Sequence, residues 1–249
     1  MGISGRNAIV TGGASGIGRA IAVQIARDGA DVAILDVDAA RAETVAGEVR
    51  ALGRRALAVE GDVSSGPSVQ AAVARVHDAL GPVRVLVGCA GIANFVSFLD
   101  MEEAAWDRMI AVHLKGAFHC ARAVLPDMVA ARWGRIVLVA SVAGLNGGGP
   151  WLSHYSAAKA GIIGLAKALA LEFGPVGITV NALAPGLIDT PLLDRSGMPE
   201  AVRRTVVERT PVQRIGMPED IAAACAFLVS EEAGFFTGQV VSPNGGAHC

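Results

Sequence analysis

The chain has 249 residues, 52% of them hydrophobic, with 21 basic and 23 acidic side chains and a formal net charge of −2. That apolar content can fill one sizeable core, and an α/β unit of this length often folds as a single domain. With no block of Lys and Arg a nucleic-acid surface is not expected, and no apolar run reaches the roughly 20 residues needed to span a bilayer. Cys89, Cys120, Cys225 and Cys249 form no C-x-x-C pair and have no His cluster at zinc spacing, so no metal site is expected. Reduced thiols, and an opening segment 1–6 without a signal-peptide pattern, point to a cytoplasmic protein.

The first strand is expected at 7–11. It runs into Thr11-Gly12-Gly13-Ala14-Ser15-Gly16-Ile17-Gly18 and then a helix at 17–28. Glycines at a strand–turn–helix junction let the backbone approach a pyrophosphate, which the helix N-terminus attracts. The second strand, 31–36, ends in Asp36, 18 residues after Gly18. An acid there can accept the ribose hydroxyls of an adenosine and would repel a 2′-phosphate. Its neighbours Leu35, Val37 and Asp38 are not basic, and neither is Ser15 in the turn, so NAD is expected over NADP. A helix at 39–52 and a strand at 56–60 follow. Asp62 and Val63, just beyond that strand, are candidates for the adenine edge.

A helix at 69–80 and a strand at 83–87 come next, then a long helical stretch at 104–130 interrupted near Pro126. The strand at 135–140 leads to Ser141, at the carboxyl edge where such sheets bind ligands. Tyr155 and Lys159 stand four residues apart at the start of a helix expected at 156–173, on one face. A phenol titrates near 10 and is a poor base at neutral pH, but a neighbouring ammonium lowers that value. The pair can then exchange a proton with an alcohol as hydride passes to or from a nicotinamide, with Ser141 holding the substrate oxygen. A strand at 178–183 precedes a segment, 187–218, with one candidate helix at 200–209, which reads as a substrate lid. The last strand is expected at 239–242. Nearly continuous apolar strands in repeated β-α-β units predict a doubly wound parallel sheet with helices on both faces.

These motifs together resemble the classical short-chain dehydrogenase/reductase family over essentially the whole length. The match runs through the turn from Thr11 to Gly18, Asp62-Val63, Cys89-Ala90-Gly91, Ser141, Tyr155 with Lys159, and Asn181-Ala182-Leu183-Ala184-Pro185-Gly186. Ile188 and Thr190 fit the family's P-G-x-I-x-T, which lies along the carboxamide side of nicotinamide. The tail fits through Phe227–Ser230, Thr237-Gly238-Gln239 and Gly245-Gly246. The resemblance implies a Rossmann-like α/β sheet of about seven strands, a Ser-Tyr-Lys site, and usually a homotetramer. It also implies cofactor contacts from Gly12, Ser15, Gly16, Ile17, Gly18, Cys89, Ala90, Gly91, Tyr155, Lys159, Pro185, Gly186, Ile188 and Thr190.

Two departures stand out. Cys89 occupies a position where the family usually has Asn. His113, in Val112-His113-Leu114-Lys115-Gly116, stands where many members carry an Asn that anchors a relay water. Imidazole titrates near 6.5, so His113 is expected beside the site, holding or replacing that water and adding an acid limb to the rate profile. The substrate walls are expected from Phe95, Leu145, Trp151 and Leu192, all apolar, with Arg195, Arg203, Arg204 and Arg209 in the lid. The expected activity is NAD-dependent interconversion of a secondary alcohol, or hydroxyacyl thioester, and its ketone. The alternatives are a 3-oxoacyl-carrier-protein reductase, which Asp36 and Val176 disfavour while Arg132 favours it, and remotely a non-catalytic NAD sensor.

Overall fold

The computed structural model describes residues 2–195 and 197–248, and of Arg195 the backbone only. Cys249 and the Arg195 side chain, both singled out in the sequence, lie outside that description. Strand and helix alternate: β1 (Asn7–Thr11), α1 (Gly16–Arg27), β2 (Asp31–Asp36), α2 (Ala39–Ala51), β3 (Ala56–Glu60), α3 (Gly66–Leu80) and β4 (Val83–Gly88). Then come α4 (Glu103–Ile110), a π-turn at Ala111–Lys115, α5 (Gly116–Ala131), β5 (Gly134–Val139), α6 (Ala143–Asn146), α7 (Ser153–Phe173) and β6 (Ile178–Leu183). Two helices in the segment expected to form a lid, α8 (Pro191–Arg195) and α9 (Glu200–Arg209), precede α10 (Pro218–Val229) and β7 (Val240–Val241).

All seven strands pair in parallel, in the order β3-β2-β1-β4-β5-β6-β7. Every residue of β5 and β6 is buried, which is why these strands read as nearly continuous apolar runs, broken only by Arg135, Thr179 and Asn181. Alternate side chains feed two separate cores. Ile9, Ala33 and Leu35 pack with α3, α5 and α7, while Ala8, Val10, Val32 and Ile34 pack with α1, α2 and α10. The strand order reverses between β1 and β4. Their carboxyl ends open the crevice in which such sheets bind ligands.

Several elements differ from their sequence expectation, the short helices α6 and α8 among them. The long helix passes through Pro126, which sits inside α5; its break is the π-turn at Ala111–Lys115. Helix α7 starts at Ser153, so Tyr155 is already helical and the Tyr155–Lys159 pair gains a shared face. The final strand shrinks to two residues. Helix α10 is an element that the sequence reading passed over; it packs along α1 and completes the second core. Among the described residues no helix is long and apolar enough to cross a membrane. Nor does any group of three or more His, Cys, Asp or Glu among them lie placed to hold a metal ion.

Candidate active site

The glycine turn is built by crowding. Gly12 has φ +64°, and a Cβ there would stand 2.6 Å from the Ala90 Cα. A Cβ on Gly18 would collide with the Gly12 carbonyl. Only glycine lets the head of α1 close on the end of β1 in this way. Ser15 takes the N-cap place with an extended backbone, yet no side chain caps the helix. The first-turn N–H groups of α1 therefore remain available to an anion. Thr11, fully buried, braces the other wall: its Oγ1 accepts from the Cys89 and Ala90 N–H groups at 3.1 and 3.2 Å. Thr190 closes on the same turn, since a Cβ on Gly16 would meet Thr190 Cγ2 at 3.3 Å.

Asp36 is tied to the same turn. Its Oδ2 accepts from the Ala14 N–H and its Oδ1 from the Asp38 N–H, both at 3.1 Å. The nearby arginines are engaged elsewhere, Arg41 with Asp38 and Arg19 bidentately with Glu48. Asp62 accepts from both the N–H and the hydroxyl of Ser64, which lowers its pKa. Val63 beside it is buried. A glycine cradle without room for a Cβ, an uncapped helix head and a fixed acid at the end of β2 fit an adenine dinucleotide.

The catalytic candidates converge at the edge of β5. Ser141 follows that strand, and its Oγ accepts from the Ala143 N–H at 3.1 Å. Gly144 lets α6 lie directly on α7, because a Cβ there would stand 2.7 Å from the Lys159 carbonyl carbon. This contact brings Ser141 beside Tyr155, where it favours the ionised phenol. Lys159 Nζ lies 5.6 Å from the centre of the Tyr155 ring and donates to the Val139 carbonyl at 2.7 Å.

The proton balance differs from the sequence expectation. Burial raises the Tyr155 pKa, and the Ser141 hydrogen bond only partly offsets it. Burial also lowers Lys159 to about 8. In this state Lys159 is turned to a carbonyl and does not depress the phenol.

His113 sits in the π-turn, 2% exposed, its ring edge-on to Tyr155 at 5.4 Å. Its Nε2 lies 2.8 Å from the Ile92 carbonyl and 3.1 Å from the Ile92 N–H. One nitrogen cannot serve both partners at once, as a side-chain amide could. Its Nδ1 is buried without a partner. Burial first, and the Lys159 charge second, push its pKa down to about 3. The expected acid limb near 6.5 is thereby corrected: His113 stays neutral, in contact with Tyr155 and Ile92. Cys89 is half-buried, and desolvation raises its thiol to about 11.

The expected substrate walls are partly joined. The Val96 N–H donates to the Trp151 carbonyl at 3.0 Å, so the stretches carrying Phe95 and Trp151 abut. Trp151 is 55% exposed with φ +67°, and Leu145 is 38% exposed. Leu192 lies half-buried in α8, beyond Pro191. Ile188 is buried and bridges to Gly216, with Gly186 packed on Asn244. Arg203 is engaged with Asp189 at 2.9 Å, while Arg204 and Arg209 are exposed. The sequence reading missed His154, fully buried beside Tyr155, with Nε2 3.1 Å from the Asn94 Oδ1. Nothing in the spacing pairs residues 60 apart.

Comparison with known proteins covers the whole assembly. A family profile described as Enoyl-(Acyl carrier protein) reductase matches residues 12–248. The chain is 42% identical to the (2S)-[(R)-hydroxy(phenyl)methyl]succinyl-CoA dehydrogenase subunit BbsD of Thauera aromatica, over 99% of this chain and 98% of that one. It is 38% identical to a 3-oxoacyl-[acyl-carrier-protein] reductase of Staphylococcus epidermidis, over 98% and 99%. A solved structure from Sinorhizobium meliloti 1021, assigned to the short-chain alcohol dehydrogenases, superposes with a TM-score of 0.94 at 35% identity. It covers 99% of this chain and 97% of that one.

Proposed function

The chain belongs to the short-chain dehydrogenase/reductase family, and on that premise we propose that it is an NAD-dependent dehydrogenase of a secondary alcohol or hydroxyacyl thioester. It is an oxidoreductase acting on CH–OH groups, and the family uses nicotinamide cofactors. When bound, the nicotinamide takes or supplies the hydride. The protein's own part is to hold the substrate oxygen and move its proton.

The observation that carries this reading is the convergence of Ser141, Tyr155 and the buried Lys159, whose Nζ lies 5.6 Å from the centre of the Tyr155 ring. A substrate hydroxyl placed between Ser141 and Tyr155 has one partner to orient it and one to take its proton. Positive charge brought close to the phenol would offset the burial that now holds its pKa up. Re-aiming the Lys159 ammonium from the Val139 carbonyl would supply such charge, as would an oxidised nicotinamide. In the reverse direction the protonated Tyr155 returns its proton to a ketone. The residues would hold the dinucleotide at the uncapped head of α1, at Asp36 and along Ile188 and Thr190.

NAD is favoured because Asp36 faces the turn and the arginines near it among the described residues, Arg41 and Arg19, are paired with other acids. A hydroxyacyl-CoA substrate agrees with the printed name of the Thauera relative. Phe95 and Trp151 suit an apolar or ring-bearing acyl part. The carrier-protein reductase reading has the Staphylococcus relative and the exposed Arg132 in its favour, but Asp36 weighs against NADPH. Exposed Leu171, Phe118 and Phe235 offer apolar surface for a homotetramer.

A spectrophotometric screen of secondary alcohols, ketones and 3-oxoacyl thioesters with each cofactor tests the reading. We expect turnover of a secondary alcohol or hydroxyacyl-CoA with NAD at least tenfold better than with NADP. A clear preference for NADPH and carrier-protein thioesters contradicts it.

A further inference from the structure

Two buried imidazoles meet one coil from opposite sides. The coil, residues 91–96, leaves the end of β4 and runs past Tyr155 toward the expected substrate wall. At its start, Ile92 is held by His113 Nε2. A Cβ on Gly91 would stand 2.5 Å from His113 Cε1, so coil and ring are in close contact. Two residues on, the Asn94 Oδ1 meets His154 Nε2 at 3.1 Å. Two further on, the Val96 N–H reaches the Trp151 carbonyl. His154 is 0% exposed, although it is a polar ring at the head of a helix whose next residue is Tyr155. No contact so far described for the reaction uses it.

The chemistry of the ring fixes its role. The His154 Nδ1 is buried and has no partner. An unmet buried acceptor is tolerated more readily than an unmet N–H. The tautomer with the proton on Nε2 therefore prevails, and His154 donates to the Asn94 Oδ1. That bond orients the Asn94 amide and leaves its NH2 group outward, since Asn94 is exposed. Burial lowers the His154 pKa, which favours the neutral ring.

We propose that His154, acting through Asn94, is a positioning residue that clamps the 91–96 coil to the head of α7 and so sets the substrate wall against Tyr155. The kinetic part of this proposal rests on the reaction assigned above; the clamp itself does not. Its partner across the coil is His113, and together the two rings hold a segment that lacks regular secondary structure of its own.

The test uses the full-length protein and four variants: His154→Phe, His154→Gln, Asn94→Ala and the double His154→Phe/Asn94→Ala. Phe keeps a ring and loses the donor, whereas Gln restores an N–H. Amide hydrogen exchange of peptides covering 91–99 reads the clamp directly. We expect exchange about tenfold faster in His154→Phe and Asn94→Ala, the net worth of one hydrogen bond, with protection regained in His154→Gln. The double variant should be no faster than either single one, because the two side chains make one interaction.

In turnover, KM for the alcohol should rise about tenfold with kcat and NADH affinity nearly unchanged. Unaltered exchange in both single variants, or additive effects in the double, overturns the proposal. If no alcohol or ketone is turned over by the wild type, the assigned reaction fails while the exchange result still decides the clamp. Should His154→Phe fail to fold, Asn94→Ala, altered at an exposed residue, carries the same comparison.

Discussion

Lys159 shows how one side chain couples the site to the stability of the protein. It is 4% exposed, its Nζ held by a single carbonyl, and burial lowers its pKa to about 8. An unfolded lysine titrates near 10.4. Below pH 8 both states carry the ammonium, and the folded state bears the whole cost of enclosing it. Between about pH 8 and 10.4 the folded amine has lost its proton while the unfolded one keeps it. The unfolded state then binds more protons, so stability rises with pH across that window, by a total on the order of 3 kcal/mol. The thiols of Cys89 and Cys120, pushed up to about 11 and 12, act in the opposite direction above their ordinary range. Comparing wild type with Lys159→Met removes that shared background. Denaturant unfolding at pH 7.5, 9 and 10 should show the wild-type stability rising relative to the variant. A pH-independent difference would mean that the ammonium is not enclosed.

At the scale of elements, the head of α1 depends on Gly18. The helix closes on the turn so tightly that a methyl group would strike the Gly12 carbonyl, which is backbone and cannot swing aside. Gly18→Ala should therefore shift α1 away from β1, with a cost of about 1–3 kcal/mol by overpacking. A lowered melting temperature and at least tenfold weaker NADH binding by fluorescence titration are expected; unchanged values of both would show that the turn has slack. The turn, the strand-end Asp36 and the Tyr155–Lys159 spacing were legible in the sequence because each is local. Parallel strands announced themselves for a similar reason, since burial on both faces leaves no polar alternation to confuse the pattern.

The π-turn was not legible, because one residue of extra winding leaves no mark on an apolar period, and Pro126 was the more obvious breaker. Helix α10 did leave a mark. Pro218 opens it, Glu219 and Asp220 follow in the first turn, and Ile221, Ala222, Cys225, Ala226, Leu228 and Val229 bury at helical spacing. Its place after a long lid is what hid it. The direction of the Tyr155 shift was out of reach for a different reason: it depends on how deeply the site is enclosed, a property of packing between elements far apart in sequence.

At the scale of the molecule, the fold works by bringing carboxyl ends together. The reversal of strand order between β1 and β4 aligns Gly12 with Ala90. The next strands, β5 and β6, deliver Ser141 and Pro185-Gly186 to the same edge, where the Val142 N–H donates to the Pro185 carbonyl at 3.0 Å. Two cores on opposite faces of the sheet fix that edge, so Ser141, Tyr155 and Lys159 sit on a rigid base. The central claim is that Tyr155 moves the substrate proton in this frame. Tyr155→Phe keeps the ring against His113 and removes only the hydroxyl. Measured with the best alcohol found and saturating NAD, its kcat should fall by about 10²–10⁴, the usual worth of a general acid or base. NADH affinity should stay within a few-fold of wild type. A Tyr155→Phe protein that turns over at the wild-type rate would contradict the assignment.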